Sequence, residues 1–261
     1  MNNSFHVTGI PTGIIRQGDD IAACLIRSVQ DSPAGNFENG DILVVAETAL
    51  ATAEGEVIPL SEVIPGEHAR ETGTRYGMDP RVAQVVLDES DSVVGGIPGF
   101  LLSMKNGTLL PNAGIDASNA PPGCVVLLPR DPDKSAESLR KVIKIRCDRD
   151  IAVIIADSRT HAMRVGCSGV AIGCSGIPSV IDDRGRTDLF GRTLEVTKQA
   201  LADNIASAAE IVMGEADECV PAALVRGLGI PVSEQSGVET IESEDCLFMG
   251  LISGNKENQL V

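Results

Sequence analysis

Three short stretches place oxygen ligands where the backbone has little freedom. The first is Asn112-Ala113-Gly114-Ile115-Asp116-Ala117-Ser118-Asn119, followed by Ala120-Pro121-Pro122-Gly123. Gly114 admits backbone conformations closed to other residues, and the proline pair forbids helix just downstream. Asp116 and Asn119 are therefore expected on a turn, where a displayed carboxylate suits a hard, oxygen-seeking cation. The competing reading is an Asx turn in which both side chains bond their own backbone.

The second stretch is Asp157-Ser158, directly after the apolar run Ile151-Ala152-Val153-Ile154-Ile155-Ala156. A strand over 151–156 would deliver the carboxylate to its mouth, a common place for ligand sites. Paired with Asp116, Asp157 could hold a divalent metal, with Ser158 as hydroxyl ligand or donor; capping the following turn is the plainer role. The third is Gly214-Glu215-Ala216-Asp217-Glu218, after a long helix expected over 193–213. If that helix ends at Met213, the carboxylates face the negative end of its dipole, a cost that bound metal would offset. If a new helical turn starts at Glu215, the charges need no further explanation.

Other motifs are less informative. The Gly-Cys-Ser-Gly segments at 166–169 and 173–176 lack the spacing of a nucleophile elbow, and Cys167 and Cys174 read as buried residues of a Gly-rich turn. Neither a P-loop nor a dinucleotide fingerprint is present. His6, His68 and His161 lack metal-ligand spacing, although His161 lies near Asp157. Arg164, Arg184, Arg186, Arg192 and Arg226 could bind a carboxylate or phosphate, or pair with the abundant Asp and Glu.

The elements that must position these residues follow from pattern. A helix is expected over 20–29 with Asp19 as cap, and a strand over 42–46 that continues through 47–54 with polar residues interleaved. Asp79-Pro80 opens another helix, closed off by the glycines of 95–99. A buried strand is expected over 125–128, a helix over 135–146 and a short strand over 222–225, with a frayed acidic tail from Ser233 in which 247–249 could dock. The fold class is α+β, mixed and largely antiparallel with flanking helices. One domain spans 1–232, with two interleaved subdomains as an alternative, and a C-terminal tail spans 233–261.

Bulk composition narrows the partners. The 261 residues carry a net charge of -16, with 43% hydrophobic, 22% charged and 2% aromatic residues. These are globular values, and one Tyr with no Trp leaves little for stacking on nucleic acid. A phosphate backbone would be repelled, so an anionic small-molecule substrate needs clustered Arg or bound metal. Seven scattered cysteines fit no disulfide framework or zinc site and read as small buried hydrophobes. No signal peptide or membrane span is expected, so the location expected is the cytoplasm.

Several segments together resemble one family. They are 40–55, 112–119, Leu128-Pro129-Arg130-Asp131-Pro132-Asp133-Lys134-Ser135-Ala136, Asp188-Leu189-Phe190-Gly191-Arg192, Met213-Gly214-Glu215-Ala216 and 221–227. In this order they are similar to the coenzyme F-420-0:L-glutamate ligases, the archaeal-type gamma-glutamyl ligases of deazaflavin coenzyme synthesis. The likeness runs from about Gly9 to Gly227, and Gly114-Ile115-Asp116-Ala117-Ser118-Asn119 is its most specific element.

The resemblance implies a GTP-dependent amide ligase with two Mg2+ or Mn2+ sites, K+ as a further candidate ion, and a homodimer. It implies that L-glutamate is added to an anionic coenzyme precursor through an acyl phosphate, without membrane or nucleic-acid partners. By motif, Asp116 and Asp157 would hold one metal, and Ser158 and Glu215 the second. Nucleotide contacts would come from Pro11, Thr12, Gly13 and Ile14, from Glu47, Thr48 and Thr52, and from Asn119. Met213, Gly214, Ala216 and Asp217, within a segment running to Val220, complete them. Two departures stand out. A Lys usual before Ala53-Glu54-Gly55 is replaced by Thr48, Ala51 and Thr52. The usual G-R-P-W-R has become Thr160-His161-Ala162-Met163-Arg164, which leaves Arg164 as the catalytic candidate. The alternatives are a non-catalytic nucleotide- or metal-binding paralogue, and a dimer whose Asp residues only shape turns.

Overall fold

The structure, a computed structural model, describes Asn2 and residues 4–254; the last part of the expected tail, 255–261, lies outside the described residues. In chain order the elements are β1 (His6–Ile10), α1 (Ile21–Asp31), β2 (Ile42–Ala46), α2 (Glu47–Glu54), β3 (Val57–Pro59), α3 (Glu67–Tyr76), α4 (Pro80–Glu89), β4 (Ser92–Ile97), β5 (Phe100–Lys105) and β6 (Thr108–Pro111). They continue with β7 (Cys124–Val126), α5 (Pro132–Cys147), β8 (Ala152–Thr160), β9 (Cys167–Ser175), β10 (Val180–Asp182), β11 (Lys198–Ala200), α6 (Leu201–Met213), β12 (Ala222–Arg226) and α7 (Leu247–Gly254). The fold is α+β with mostly antiparallel pairing, as expected.

The chain divides into two compact units. The first comprises 1–58 and 116–238, and its centre is a five-stranded sheet in the order β1-β12-β2-β8-β9. Only β2 and β8 run parallel in it, from Ile42 opposite Ala152 to Ala46 opposite Ala156. Because successive side chains of a strand point to opposite faces, these apolar runs feed two cores. Val44, Ile154, Ala156 and Val225 pack on one face with Ile205 and Ala209 of α6. Val45, Val153, Ile155 and Leu224 pack on the other with Leu25 of α1 and Leu139 and Ile143 of α5.

The second unit comprises 59–115 and 239–261. Its sheet has the order β4-β5-β6, and Val86, Leu101 and Ala113 form a small core with Tyr76, Met78 and Val82 against it. The glycines of 95–99, expected to close the α4 segment, instead lie in β4 and its hairpin turn to β5.

Several local expectations change once tertiary contacts are present. Asp20, not Asp19, caps α1, its carboxylate accepting from the Ala23 amide at 3.0 Å. Residues 47–54 are helix rather than strand. Ala and Leu there favour helix, Glu47, Leu50 and Ala51 share the buried side, and Gly55 ends it with φ of 90°. The expected strand at 151–156 continues to Thr160, so Asp157 and Ser158 lie within β8.

The Gly-rich segment is strand β9, not a turn. A Cβ on Gly169 would lie 2.5 Å from the Ala206 carbonyl oxygen, and one on Gly173 would lie 2.4 Å from that of Pro132. Glycine is what lets helices α6 and α5 approach the strand. Of its cysteines, Cys174 is buried as expected, but Cys167 is exposed, as is Cys219. Helix α6 begins at Leu201, not Thr193; β11 precedes it and pairs with β10. Residues 233–238 are not frayed: the amides of Ser233 and Gly237 donate to the carbonyls of Gly176 and Cys174, at 2.7 and 2.8 Å.

Candidate functional site

Strand β8 carries Asp157 and Ser158 past the end of its apolar run, and their side chains inherit opposite faces of the sheet. Val153 and Ile155 share a face with Asp157, whereas Ile154 and Ala156 share one with Ser158. Each polar residue thus emerges beside a different helix. Ala46 lies opposite Ala156 in the parallel ladder, so Glu47, at the start of α2, stands beside Asp157. On the other face α6 brings Glu210 and Glu215 to Ser158, whose hydroxyl lies 3.1 and 3.0 Å from the two Glu215 carboxylate oxygens.

Both groups line one cavity of about 760 Å³ within the first unit. Its wall includes Asp116, Asn119, Asp157 and Ser158. It also includes Glu215, the fourth residue expected to hold metal, and Gly13, Ile14, Glu47, Thr48, Thr52, Met213, Gly214, Ala216 and Asp217 of the expected nucleotide contacts. Pro11 and Thr12 are not on the described lining. Arg164 is not either; it is exposed in the turn joining β8 to β9. Asp116 is fixed by a backbone bridge to Val126, its amide donating to the Val126 carbonyl at 3.0 Å. Its carboxylate also accepts from the Ser118 amide at 2.7 Å, so the Asx turn exists and still leaves the group on the cavity wall.

Helix α6 ends at Met213 with Gly214 as its cap, and 215–218 form no further helix. Glu215, Asp217 and Glu218 therefore follow the negative end of the dipole, where a cation is favoured and an anion is not.

The electrostatics of the wall follow from crowding like charges out of water. Burial pushes the Glu47 carboxyl up to about 8, the Asp157 charge adds to it, and the Thr48 hydroxyl opposes it. Burial raises Asp157 too, opposed by the Arg159 guanidinium, whose Nε donates to Oδ2 at 2.6 Å. Glu210 is pushed up to about 7 by burial and the neighbouring Glu215 carboxyl. Its Oε1 is buried without a hydrogen-bond partner. Arg16 is the single basic residue along the described lining.

Three of the other candidate arginines pair elsewhere. Arg184 bonds Asp182, Arg186 bonds Asp183, and Arg226 grips Asp41 through Nε and Nη2 at 2.8 and 2.7 Å. Arg192 donates its amide to Asp188. His161 lies 2.6 Å from the Ser168 hydroxyl, away from the described lining. Sequence reasoning missed Glu210 and Arg159, whereas Glu218, within the third acidic stretch, does line the cavity. Glu210 had a signal, a carboxylate at helical spacing between Ala206 and Met213 on a buried stripe. Arg159 had none beyond its two-residue spacing from Asp157.

Fold and cavity together define an α+β protein with a carboxylate-walled cleft lined by Ala156, Asp157 and Ser158 of strand β8. The family model for F420-0:gamma-glutamyl ligase matches residues 9–227. The chain belongs to that ligase family. It is 45% identical over 215 residues to the coenzyme F420:L-glutamate ligase of Methanopyrus kandleri, covering 82% of this chain and 83% of that one. To the enzyme of the same name from Archaeoglobus fulgidus it is 42% identical over 241 residues, covering 92% and 93%. To that of Methanothermobacter thermautotrophicus it is 40% identical over 222 residues, covering 85% and 87%. Among the described residues, no helix is long and apolar enough to cross a membrane.

Proposed function

We propose that this protein is a GTP-dependent ligase that joins L-glutamate, in gamma linkage, to a carboxylate of the coenzyme F420 precursor. The observation that carries the reading is the meeting of Asp116, Asp157, Ser158 and Glu215 on one cavity wall, in a family whose members bear that enzyme's name. The γ-phosphoryl group of GTP passes to the precursor carboxylate. The glutamate amine then attacks the acyl carbonyl, loses a proton and expels phosphate.

The donor set fits Mg2+ or Mn2+. It consists of hard oxygens, the unpartnered buried Oε1 of Glu210 lies beside Ser158 and Glu215, and Glu215 follows a helix C-terminus. Among the described residues no three carboxylate, thiol or imidazole groups form a preformed cage. That suits an ion held by one or two protein groups together with water and nucleotide phosphates. Asp116 and Asp157 would hold one ion, and Ser158 and Glu215 the other. Bound divalent ions supply charge neutralisation to the triphosphate and the transferring phosphoryl group. The protein's own part is to orient. Asn119 and the walls at 13–14 and 213–220 seat the nucleotide, and the cleft restricts water around the acyl phosphate. Homodimerisation, a cytoplasmic location and use of K+ belong to the same proposal.

A specific observation favours the non-catalytic reading: Arg16 is the only basic residue on the described lining, and Arg164 stands off it. Calorimetric titration of GTP with and without Mn2+, on the native protein and Asp116→Asn, decides first. Mn2+-dependent binding lost in the variant supports the proposal. Mass spectrometry of the precursor incubated with GTP, Mn2+ and glutamate then decides between ligase and paralogue, absence of a glutamylated product selecting the latter.

A further inference from the structure

Arg159 lies two residues beyond Asp157 on β8 and so on the same face of the strand. The pair is well sheltered, with side-chain exposures of 11% for Arg159 and 14% for Asp157. The guanidinium Nε donates to Oδ2 of Asp157 at 2.6 Å. Asp157 is on the cavity wall, whereas Arg159 is not on the described lining. The contact is therefore made from the wall side, by a planar group whose direction the strand fixes.

We propose that Arg159 is a positioning residue for the cation site: it holds Asp157 by Oδ2, so that Oδ1 is the oxygen presented to a divalent ion. This rests on the metal-dependent reading above. A free carboxylate beside Asp116 would turn away from that like-charged neighbour. Arg159 removes that freedom and supplies a counter-charge without occupying the cleft. Partners behind a metal ligand act in this way, orienting it and setting its donor strength. An ammonium could replace the charge but not the fixed planar direction.

The test is Mn2+ titration of the purified, nucleotide-free protein, followed by electron paramagnetic resonance of free Mn2+, with thermal melting in parallel. Arg159→Gln is expected to weaken one class of Mn2+ site by about tenfold to a hundredfold. Arg159→Lys is expected to fall between Gln and native, and Asp157→Asn to abolish the same class. In the Asp157→Asn background, Arg159→Gln should have no further effect on Mn2+. A purely structural ion pair would lower the melting temperature and leave Mn2+ affinity at the native value, which would overturn the inference while leaving the metal-dependent function standing. Failure of the native protein to bind Mn2+ both without and with GTP would remove both. Should Arg159→Gln not fold, Arg159→Lys carries the test, and native Mn2+ affinity in that variant overturns the inference.

Discussion

The Ser158 hydroxyl donates toward both carboxylate oxygens of Glu215, at 3.1 and 3.0 Å, although 57 residues of chain separate the two. Ser158 lies within β8 and Glu215 just past the end of α6, so this contact registers the helix against the sheet at the cavity. Both side chains are exposed, which leaves the hydroxyl free to serve a ligand.

Ser158→Ala and Glu215→Ala should therefore change ion binding more than folding. In Mn2+ titrations, binding is expected to fall from about two ions toward about one, with nucleotide contributing the missing ligands when present. Thermal melting without metal should shift little, because substitutions at exposed positions rarely cost more than about 0.5 kcal/mol. Unchanged Mn2+ stoichiometry in both variants would move the second ion away from this pair.

The acidic wall makes stability depend on pH in a definite direction. Glu47 and Glu210 titrate near 8 and 7 in the folded protein, against an ordinary value of 4.5. The folded state thus holds protons that the unfolded state has released. The resulting stabilisation is complete below about 4.5 and is lost as pH rises to about 8. Metal-free protein should melt at progressively lower temperature across that range, and Glu47→Gln should flatten the curve. Mn2+ should oppose the fall most strongly at its alkaline end, because deprotonated carboxylates bind it better. A curve identical in Glu47→Gln would refute the assignment to Glu47.

Asp41 is 1% exposed, and Arg226 holds it through Nε and Nη2 while its Oδ2 also accepts from the Glu38 amide. Truncation to Ala removes the buried acceptor of Arg226 and of the Glu38 amide, while Arg226 keeps the Glu38 carboxylate and the Ala34 and Asn36 carbonyls, so a loss of about 1–3 kcal/mol is expected, read by urea unfolding. The pair is far from the cleft's carboxylates in role. Mn2+ affinity of the folded fraction should match the native protein.

Gly169 faces Ser158 across the β8–β9 ladder and lies under Ala206 of α6. Gly169→Ala puts a methyl 2.5 Å from the Ala206 carbonyl, so the helix must move outward. A loss of about 1–3 kcal/mol is expected, with weakened Mn2+ binding at Ser158 and Glu215, since their contact depends on that helix position. Native stability in the variant would mean that the helix shifts without cost.

The family and the acidic stretches that line the cavity were legible in the sequence because both are local. Gly114 and the Pro121-Pro122 pair constrain the turn at Asp116, and an apolar run delivers Asp157 and Ser158 wherever the strand ends. The main strands at 42–46 and 222–226 and the helix opened by Asp79-Pro80 were legible for the same reason. Local pattern misread 47–54, because alternation along eight residues cannot distinguish a half-buried helix from a strand. It misread β9 because glycine marks a turn and a close helix approach equally well.

Only the tertiary structure decided how these polar side chains divide between the two faces of the strand. The strand's two-residue period sends Asp157 toward Glu47 and Asp116, and Ser158 toward Glu210 and Glu215. Which helix meets each face depends on chain crossings far from either residue. The shifted titrations, the unpartnered Glu210 oxygen and the hold of Arg159 on Asp157 likewise arise from burial and proximity. Those are properties of packing, which no segment of the sequence contains by itself.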